Sequence, residues 1–181
     1  MSIPMIVRDF FGGAITASTR TDLIDAADIR QVPDTQEVLL YTNSSVSIIV
    51  EILERVEAND PVEAVRFHFD SVAHDNCAQS PIVEDVILPP NDRQNDRTPS
   101  AIVLKGEQKV TKFNRTTPDS VKILMALYRV EDKATDIVVT FNIPVASTDG
   151  GAVDPTAYQV VESEFDQFTR SFKIKDFSLF I

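Results

Sequence analysis

The sequence has 181 residues, of which 43% are hydrophobic and 25% are charged, and its formal net charge is −11 at pH 7. A chain of this size and composition is typical of one soluble globular domain that buries roughly 70% of its unfolded surface. The negative charge argues against nucleic acid or an anionic membrane surface as a partner. Cys77 is the single cysteine, which excludes an intramolecular disulfide and fits a reducing compartment.

Membrane insertion and secretion are also disfavoured by the sequence. No apolar stretch approaches the ~20 residues that a membrane-spanning helix needs, and the first residues lack the apolar core of a secretory signal. We therefore expect no membrane association. We also expect residues 1–181 to form a single intracellular domain.

The first third of the chain concentrates carboxylates at turns. Gly12-Gly13 follow two phenylalanines and predict a turn or a close backbone approach. Asp25 is placed to cap a short helical turn, and Pro33-Asp34 predicts a turn before an apolar strand at 37–41. Four carboxylates lie on or beside these turns: Asp25, Asp28, Asp34 and Glu37. From residue types alone, the ordinary interpretation is a cap, a turn and a solvated glutamate.

Three helices are predicted. Apolar residues at helical spacing between Val46 and Val56 predict the first. Asp60-Pro61 gives a helix start for the second, which runs to about Ala73. Asp154-Pro155 repeats that start signal for the third. The third helix has an apolar stripe formed by Tyr158, Val161, Phe165, Phe168 and Phe172.

Strands are predicted at 82–88, 101–113 and 137–143, with a further one at 120–130. The segment 120–130 is apolar on both faces, which is typical of a central strand covered on both sides. Polar loops are expected at 89–99 and 146–155. Strands that follow one another between helices predict an α+β fold, with a mostly antiparallel sheet that has helices on both faces.

Evidence for catalysis in the sequence is thin. His68, His74 and Cys77 supply three candidate metal ligands, but their spacing is not that of a known zinc site. A buried, hydrogen-bonded His68 is the simpler interpretation, and a hydrolase that uses the same three residues is a further alternative. The two glycine pairs, Gly12-Gly13 and Gly150-Gly151, lack the lysine and the serine or threonine of a phosphate-binding loop. We therefore expect no metal, no cofactor and no enzymatic activity.

Four stretches resemble those of a known family: FGGAI at 11–15, RQVPDTQEV at 30–38, SIIVEILE at 47–54 and TDIVVTFNIP at 135–144. They occur in that order along nearly the whole chain and are similar to the Ran guanine nucleotide release factors, the Mog family. The resemblance implies a six-stranded antiparallel sheet between helices. It also implies a fold similar to that of the PsbP proteins of photosystem II.

The same resemblance implies a function. Mog proteins bind the small GTPase Ran and promote loss of its guanine nucleotide in support of nuclear import, so Ran is the expected partner and a monomer in nucleus and cytoplasm is expected. In that family the acidic residues of the PDTQE stretch matter for the contact. Carried over by position, the implied contact residues are Asp34 and Glu37, with Thr35 and Gln36 between them, and Asp25 and Asp28 extend the patch. The alternative is an acidic adaptor that binds Ran, or another basic protein, without releasing nucleotide.

Overall fold

The computed structural model describes residues 3–88, 93, 96–112 and 115–180. Its two α-helices are α1 (Pro61–Asp75) and α2 (Pro155–Ser171). Its strands, in chain order, are β1 (Met5–Phe10), β2 (Ile15–Arg20), β3 (Ile24–Asp25), β4 (Gln36–Leu40), β5 (Ser47–Glu54), β6 (Gln79–Ile87), β7 (Ile102–Val110), β8 (Asp119–Val130), β9 (Thr135–Ala146) and β10 (Lys173–Ile174).

The strands of the described ranges form two antiparallel sheets. The larger sheet has seven strands in the order β3-β4-β5-β9-β8-β7-β6, and the smaller has three in the order β1-β2-β10. This confirms the predicted α+β fold with a mostly antiparallel sheet. The larger sheet contains the six expected strands of five or more residues, and the two-residue strand β3 adds a seventh at its edge.

Strand β8 lies near the middle of the larger sheet and is covered on both faces. Leu124 and Tyr128 point into a core that α2 and the smaller sheet complete. Met125 and Leu127 point the other way, into a core that α1 completes. The prediction that 120–130 is a central strand, covered on both sides, is confirmed, and one helix lies on each face of the sheet.

The two helices begin where the sequence predicts. Pro155 occupies the first turn of α2, and the Asp154 carboxylate accepts a hydrogen bond from the Ala157 N–H at 2.7 Å. Asp60 occupies the equivalent position before α1, although its side chain makes no capping hydrogen bond. The predicted apolar stripe of α2 is confirmed, because Phe165, Phe168 and the other stripe residues pack into the core beneath that helix.

The helix predicted between Val46 and Val56 is wrong. This segment is β5, which pairs with β4 on one side and β9 on the other. A central strand has no polar face, so its apolar residues need not alternate and can fall at helical spacings by coincidence. Its isoleucines and valines favour an extended chain, because β-branched side chains pack well on a pleated sheet.

The N-terminal residues form a hairpin that the sequence analysis did not predict. β1 and β2 pair from Met5 opposite Arg20 to Phe10 opposite Ile15. Phe11, Gly12 and Gly13 connect them with φ angles of 51°, 67° and 92°. Because a left-handed backbone is strained for residues with a Cβ, the glycines are required here by the turn itself. A Cβ at Gly12 would meet nothing within 4 Å, so close approach is not the reason for that glycine.

The C-terminal tail packs back onto the protein. Strand β10 pairs with β2, and Phe180 is buried in the same core as α2. The loop predicted at 89–99 lies largely outside the described residues. The strand predicted over 101–113 is β7, which ends at Val110.

Candidate functional site

The carboxylates singled out by the sequence lie around β3 and the start of β4. β3 pairs with the far end of β4, where Ile24 lies opposite Leu40 and Asp25 opposite Leu39. A single helical turn, Ala26–Asp28, follows β3 directly. The Asp25 carboxylate accepts a hydrogen bond from the Ala27 N–H at 2.9 Å, so the predicted capping role of Asp25 is confirmed.

The Pro33-Asp34 turn leads into β4. The Gln36 N–H donates to the Pro33 carbonyl at 3.0 Å, which closes the turn and starts the strand. The Thr35 carbonyl accepts from the Ile52 N–H at 2.9 Å, and this bond fixes the turn against β5. The Asp34 and Thr35 side chains are exposed. The turn is therefore held by backbone contacts, which leaves both side chains facing solvent.

The alternation of β4 sends Gln36 and Glu37 to opposite faces of the sheet. Gln36 Nε2 donates to Glu51 Oε2 at 3.0 Å on the face that carries α1. Burial raises the pKa of the Glu51 carboxyl, and the Gln36 amide lowers it. The Gln36 side-chain amide is thus bonded within the protein, whereas the side chains of Asp34 and Thr35 face solvent.

Glu37 combines an internal contact with a position at the surface. Its Oε1 accepts a hydrogen bond from the Phe11 N–H at 2.7 Å, across 26 residues of chain. Burial raises the pKa of the half-buried Glu37 carboxyl, the Phe11 N–H lowers it, and the negative charge of Asp25 raises it further. The Glu37 carboxylate therefore holds the left-handed turn of the β1–β2 hairpin beside the other acidic residues.

The structure brings Asp25 and Glu37 together on one face and leaves Asp28, Asp34 and Thr35 exposed on the adjoining turns. We call these five residues the acidic turn surface. Two apolar side chains next to it were not anticipated: Ile24 is 41% exposed and Ile29 is 67% exposed. Hydrophobic residues next to charge are typical of protein-binding surfaces. A two-residue strand and one helical turn are too short to show periodicity, so no sequence pattern indicates this exposure.

The alternative metal or hydrolase set does not assemble. His68 is buried on the inner face of α1, where its Nε2 lies 2.8 Å from Asp136 Oδ2. His74 and Cys77 are exposed near the end of the same helix. Among the residues that the structure describes, no group of three histidine, cysteine or acidic side chains is placed to hold a metal ion.

His68 belongs instead to a buried network that the sequence did not reveal. Asp136 is fully buried, and Arg129 Nε donates to its Oδ1 at 3.1 Å while the Val56 N–H donates to its Oδ2 at 3.2 Å. Arg129 Nη2 also donates to the Val56 carbonyl at 2.7 Å. We call His68, Arg129 and Asp136 the buried network. It joins the β8–β9 hairpin to α1 and to the segment before that helix.

Within the described ranges, neither helix has the length and apolar character needed to cross a bilayer.

Comparison with known proteins places the chain in a family. Residues 8–144 match the family described as Ran-interacting Mog1 protein. The chain belongs to this family. A Ran guanine nucleotide release factor of Danio rerio is 36% identical over 144 residues, which cover 76% of this chain and 78% of the relative. A nuclear import protein mog1 of Schizosaccharomyces pombe is 29% identical, with 94% of this chain and 97% of the relative covered.

Solved structures agree with the Mog1 family fold. The Ran-binding protein Mog1p of Saccharomyces cerevisiae superposes with a TM-score of 0.77 at 25% identity, over 99% of this chain and 100% of that one. A cyanobacterial PsbP of Synechocystis superposes with a TM-score of 0.60 at 10% identity, over 96% and 94% of the two chains. The second likeness concerns the fold alone and confirms the expected similarity to PsbP proteins.

Proposed function

We propose that this chain binds the small GTPase Ran, promotes release of its bound guanine nucleotide and so supports nuclear protein import. The observation that carries the proposal is the match to the Ran-interacting Mog1 protein family over residues 8–144. That match includes the whole acidic turn surface, and the matched relatives are named as Ran guanine nucleotide release factors and nuclear import proteins.

Within this proposal, Asp34 and Glu37 are the principal contacts with Ran, and Asp25 and Asp28 extend the acidic surface around them. Support comes from position and charge: Asp34 is exposed on a turn that backbone hydrogen bonds hold, and the half-buried Glu37 carboxylate is held by the Phe11 N–H. Both carboxylates can therefore meet basic groups without being reorganised. Thr35 lies between the two principal contacts and is exposed. Gln36 is bonded to Glu51, so we assign it the task of holding β4 in place.

Release then follows from differential binding. The chain acts as a binding regulator that favours a conformation of Ran with low nucleotide affinity, and no bond in the nucleotide is broken. Binding free energies are reciprocal, so if this protein weakens GTP binding, GTP weakens its binding by the same factor. A coupling of about 1–3 kcal/mol corresponds to roughly 5- to 150-fold in affinity.

A titration with purified Ran in three states, nucleotide-free, GDP-loaded and GTP-loaded, tests the release mechanism. Nucleotide-free Ran is expected to bind more tightly than GTP-loaded Ran, and excess GTP is expected to displace the protein. In parallel, a fluorescent nucleotide preloaded on Ran is expected to dissociate faster when this protein is added. Equal affinity for free and GTP-loaded Ran, with an unchanged dissociation rate, would reject release and leave only the acidic adaptor.

The proposal extends to organisation and location. Residues 1–181 form one Ran-binding domain, which acts as a monomer in both nucleus and cytoplasm. The sharing of strand β8 by both cores supports a single cooperative unit. Light scattering during gel filtration measures the mass in solution, and a fluorescent fusion locates the protein in cells.

A further inference from the structure

A second surface feature lies away from the acidic turn surface. A groove of about 1070 Å³ runs between the first half of α2, the beginning of β1 and the segment that follows β4. Met5 and Val160 lie along its sides, and Arg20, Tyr41 and Glu164 form its floor. Neither the buried network nor the acidic turn surface contributes to it, so its chemistry is separate from both.

The floor contains charged side chains that are almost fully buried. Arg20 and Glu164 are only 6% and 8% exposed. The Arg20 guanidinium makes a bidentate pair with Asp22, with Nε and Nη2 at 2.9 and 2.7 Å from the two carboxylate oxygens. It also lies over the Tyr41 ring, 4.7 Å from the centroid. Arg20 is therefore already well paired with protein groups.

Glu164 is not paired to the same degree. Its Oε1 accepts from the Tyr41 hydroxyl at 3.3 Å, and its Oε2 lies 3.7 Å from Arg20 Nε. Both distances exceed those of ordinary charge-assisted hydrogen bonds, which are about 2.7–2.9 Å. Burial raises the pKa of the Glu164 carboxyl, and the charge of Arg20 lowers it. A buried carboxylate with only long contacts, at the floor of an open groove, has capacity for another donor.

The residues along the sides of the groove indicate which groups of a ligand would flank that donor. Val160 is 53% exposed, although it lies in the middle of an otherwise amphipathic helix, and it faces the groove together with Met5 and Ile3. The charged residues lining the groove are Arg20, Asp154 and Glu164, and Arg20 is neutralised by Asp22. The groove is therefore acidic at its floor, and its sides carry apolar residues among neutral polar ones such as Asn43, Ser44 and Gln159, which disfavours an anion.

We propose that this groove binds a lysine or arginine side chain from an extended protein segment whose neighbouring residues are apolar. The basic group donates to Glu164, and the apolar neighbours pack against Val160 and Met5. Tyr41 follows Glu37 by four residues of extended chain, so the groove floor lies about 13 Å from Glu37. This groove does not depend on Ran binding for its role, and it is a second binding surface beside the acidic turn surface.

The test uses the full chain and a short synthetic probe. The probe is acetyl-Ala-Val-Arg-Val-Ala-amide, and its matched control carries glutamine in place of arginine. Titrated into the isotope-labelled protein, the arginine peptide is expected to shift the backbone amide signals of groove residues, and the glutamine peptide is expected to bind at least tenfold more weakly. Equal affinities for the two peptides, or no binding at millimolar concentration, would overturn the proposal.

Two variants of α2 test whether Glu164 is the residue that binds the arginine peptide. Glu164→Gln keeps the shape of the side chain, removes its charge and is expected to weaken binding of the arginine peptide about tenfold or more. Asp166→Asn removes the same charge from an exposed position on the same helix and is expected to leave affinity unchanged. Thermal unfolding of each variant confirms that it is folded.

A third variant keeps the proposal testable if Glu164→Gln does not fold. Val160→Lys adds a positive charge at the exposed side of the groove and is expected to repel the arginine peptide while leaving the fold intact. Binding unaffected by Val160→Lys, or signal shifts confined to the acidic turn surface, would show that the peptide binds elsewhere and would reject the groove as its site.

Discussion

Asp34 and Asp136 place the same side chain in opposite surroundings. Asp136 is fully buried and contacts His68, Arg129 and the Val56 N–H. Asp34 is exposed on a turn that backbone hydrogen bonds already close. The first carboxylate is committed to the fold, because an unpaired charge in the interior would be costly. The second is available to a partner.

Glu37 stands between these two cases. It contributes to the acidic turn surface, yet it accepts the Phe11 N–H of a strained turn and is half-buried. The comparison teaches that a lost interaction after mutation means different things at the three positions. We expect a folding effect at Asp136, a contact effect at Asp34 under the proposed function, and a mixture of the two at Glu37.

The largest expected effect is at Asp136. Asp136→Ala leaves Arg129 buried without its carboxylate partner, so the free energy of unfolding should fall by about 3–5 kcal/mol. Urea denaturation measures it. Asp132→Ala, at the exposed end of the same hairpin, is the matched control and should change stability by about 0.5 kcal/mol or less. A similar small change at Asp136 would remove the distinction between the two kinds of carboxylate.

At Glu37 the contribution to folding and the contribution to Ran binding can be separated by the choice of substitution. Glu37→Ala removes the acceptor of the Phe11 N–H and should lower the free energy of unfolding by about 1–3 kcal/mol. Glu37→Gln keeps an acceptor oxygen at that position and should cost less, while still removing the charge that is proposed to contact Ran. If both variants were equally stable, the hydrogen bond to Phe11 would contribute nothing to folding.

At Asp34 the expected effect is on the partner alone. Asp34→Lys should weaken Ran binding at least tenfold, which is about 1.4 kcal/mol, because it places like charges opposite each other. Its melting temperature should remain close to that of the unmodified protein. Asp166→Lys introduces the same charge change on α2 and should leave Ran affinity nearly unaltered. Equal losses from both variants would indicate a general charge effect rather than a contact.

The smallest effect is the pH dependence of stability, which should have opposite signs at the buried Asp136 and the half-buried Glu37. Burial raises the pKa of Asp136, but hydrogen bonds from His68, Val56 and Arg129 outweigh it, so the net shift is downward. Its stabilisation is present above the unfolded value of about 3.9 and is lost as pH falls through the folded pKa. The Glu37 pKa is raised chiefly by burial, so its protonation adds stability as pH falls through the folded pKa.

Unfolding measured from pH 7 to pH 3 checks both signs. The stability advantage of the unmodified protein over Asp136→Asn should shrink toward the acid end of this range. Its advantage over Glu37→Gln should grow as Glu37 is protonated. Parallel curves for both pairs would contradict the assigned shifts.

Local signals predicted much of the fold. The Pro-containing starts of α1 and α2, the stripe of α2 and the two apolar faces of β8 all follow from chemistry within a few residues. The acidic residues of the turn surface were likewise found from the sequence, although their role with Ran stays a proposal. Family resemblance supplied the partner, which composition alone could not.

Long-range pairing accounts for what was missed. The misassigned strand β5 is defined by β4 and β9, and the latter lies about ninety residues away in the chain. The buried network joins His68 to Asp136 across 68 residues, and no local pattern marks either residue as paired. The groove floor likewise depends on Tyr41 meeting Glu164 across 123 residues. These contacts are set by the packing of the complete sheet.

The double coverage of β8 also has a kinetic consequence. Because one side of this strand completes the core under α1 and the other completes the core under α2, neither core can open at β8 without exposing the other. Amide protons in the β8–β9 pairing should therefore exchange with solvent only through unfolding of the whole molecule. Those of the short edge strand β3 are free to exchange through local opening, so the surface proposed to contact Ran borders the part of the sheet that is expected to open first.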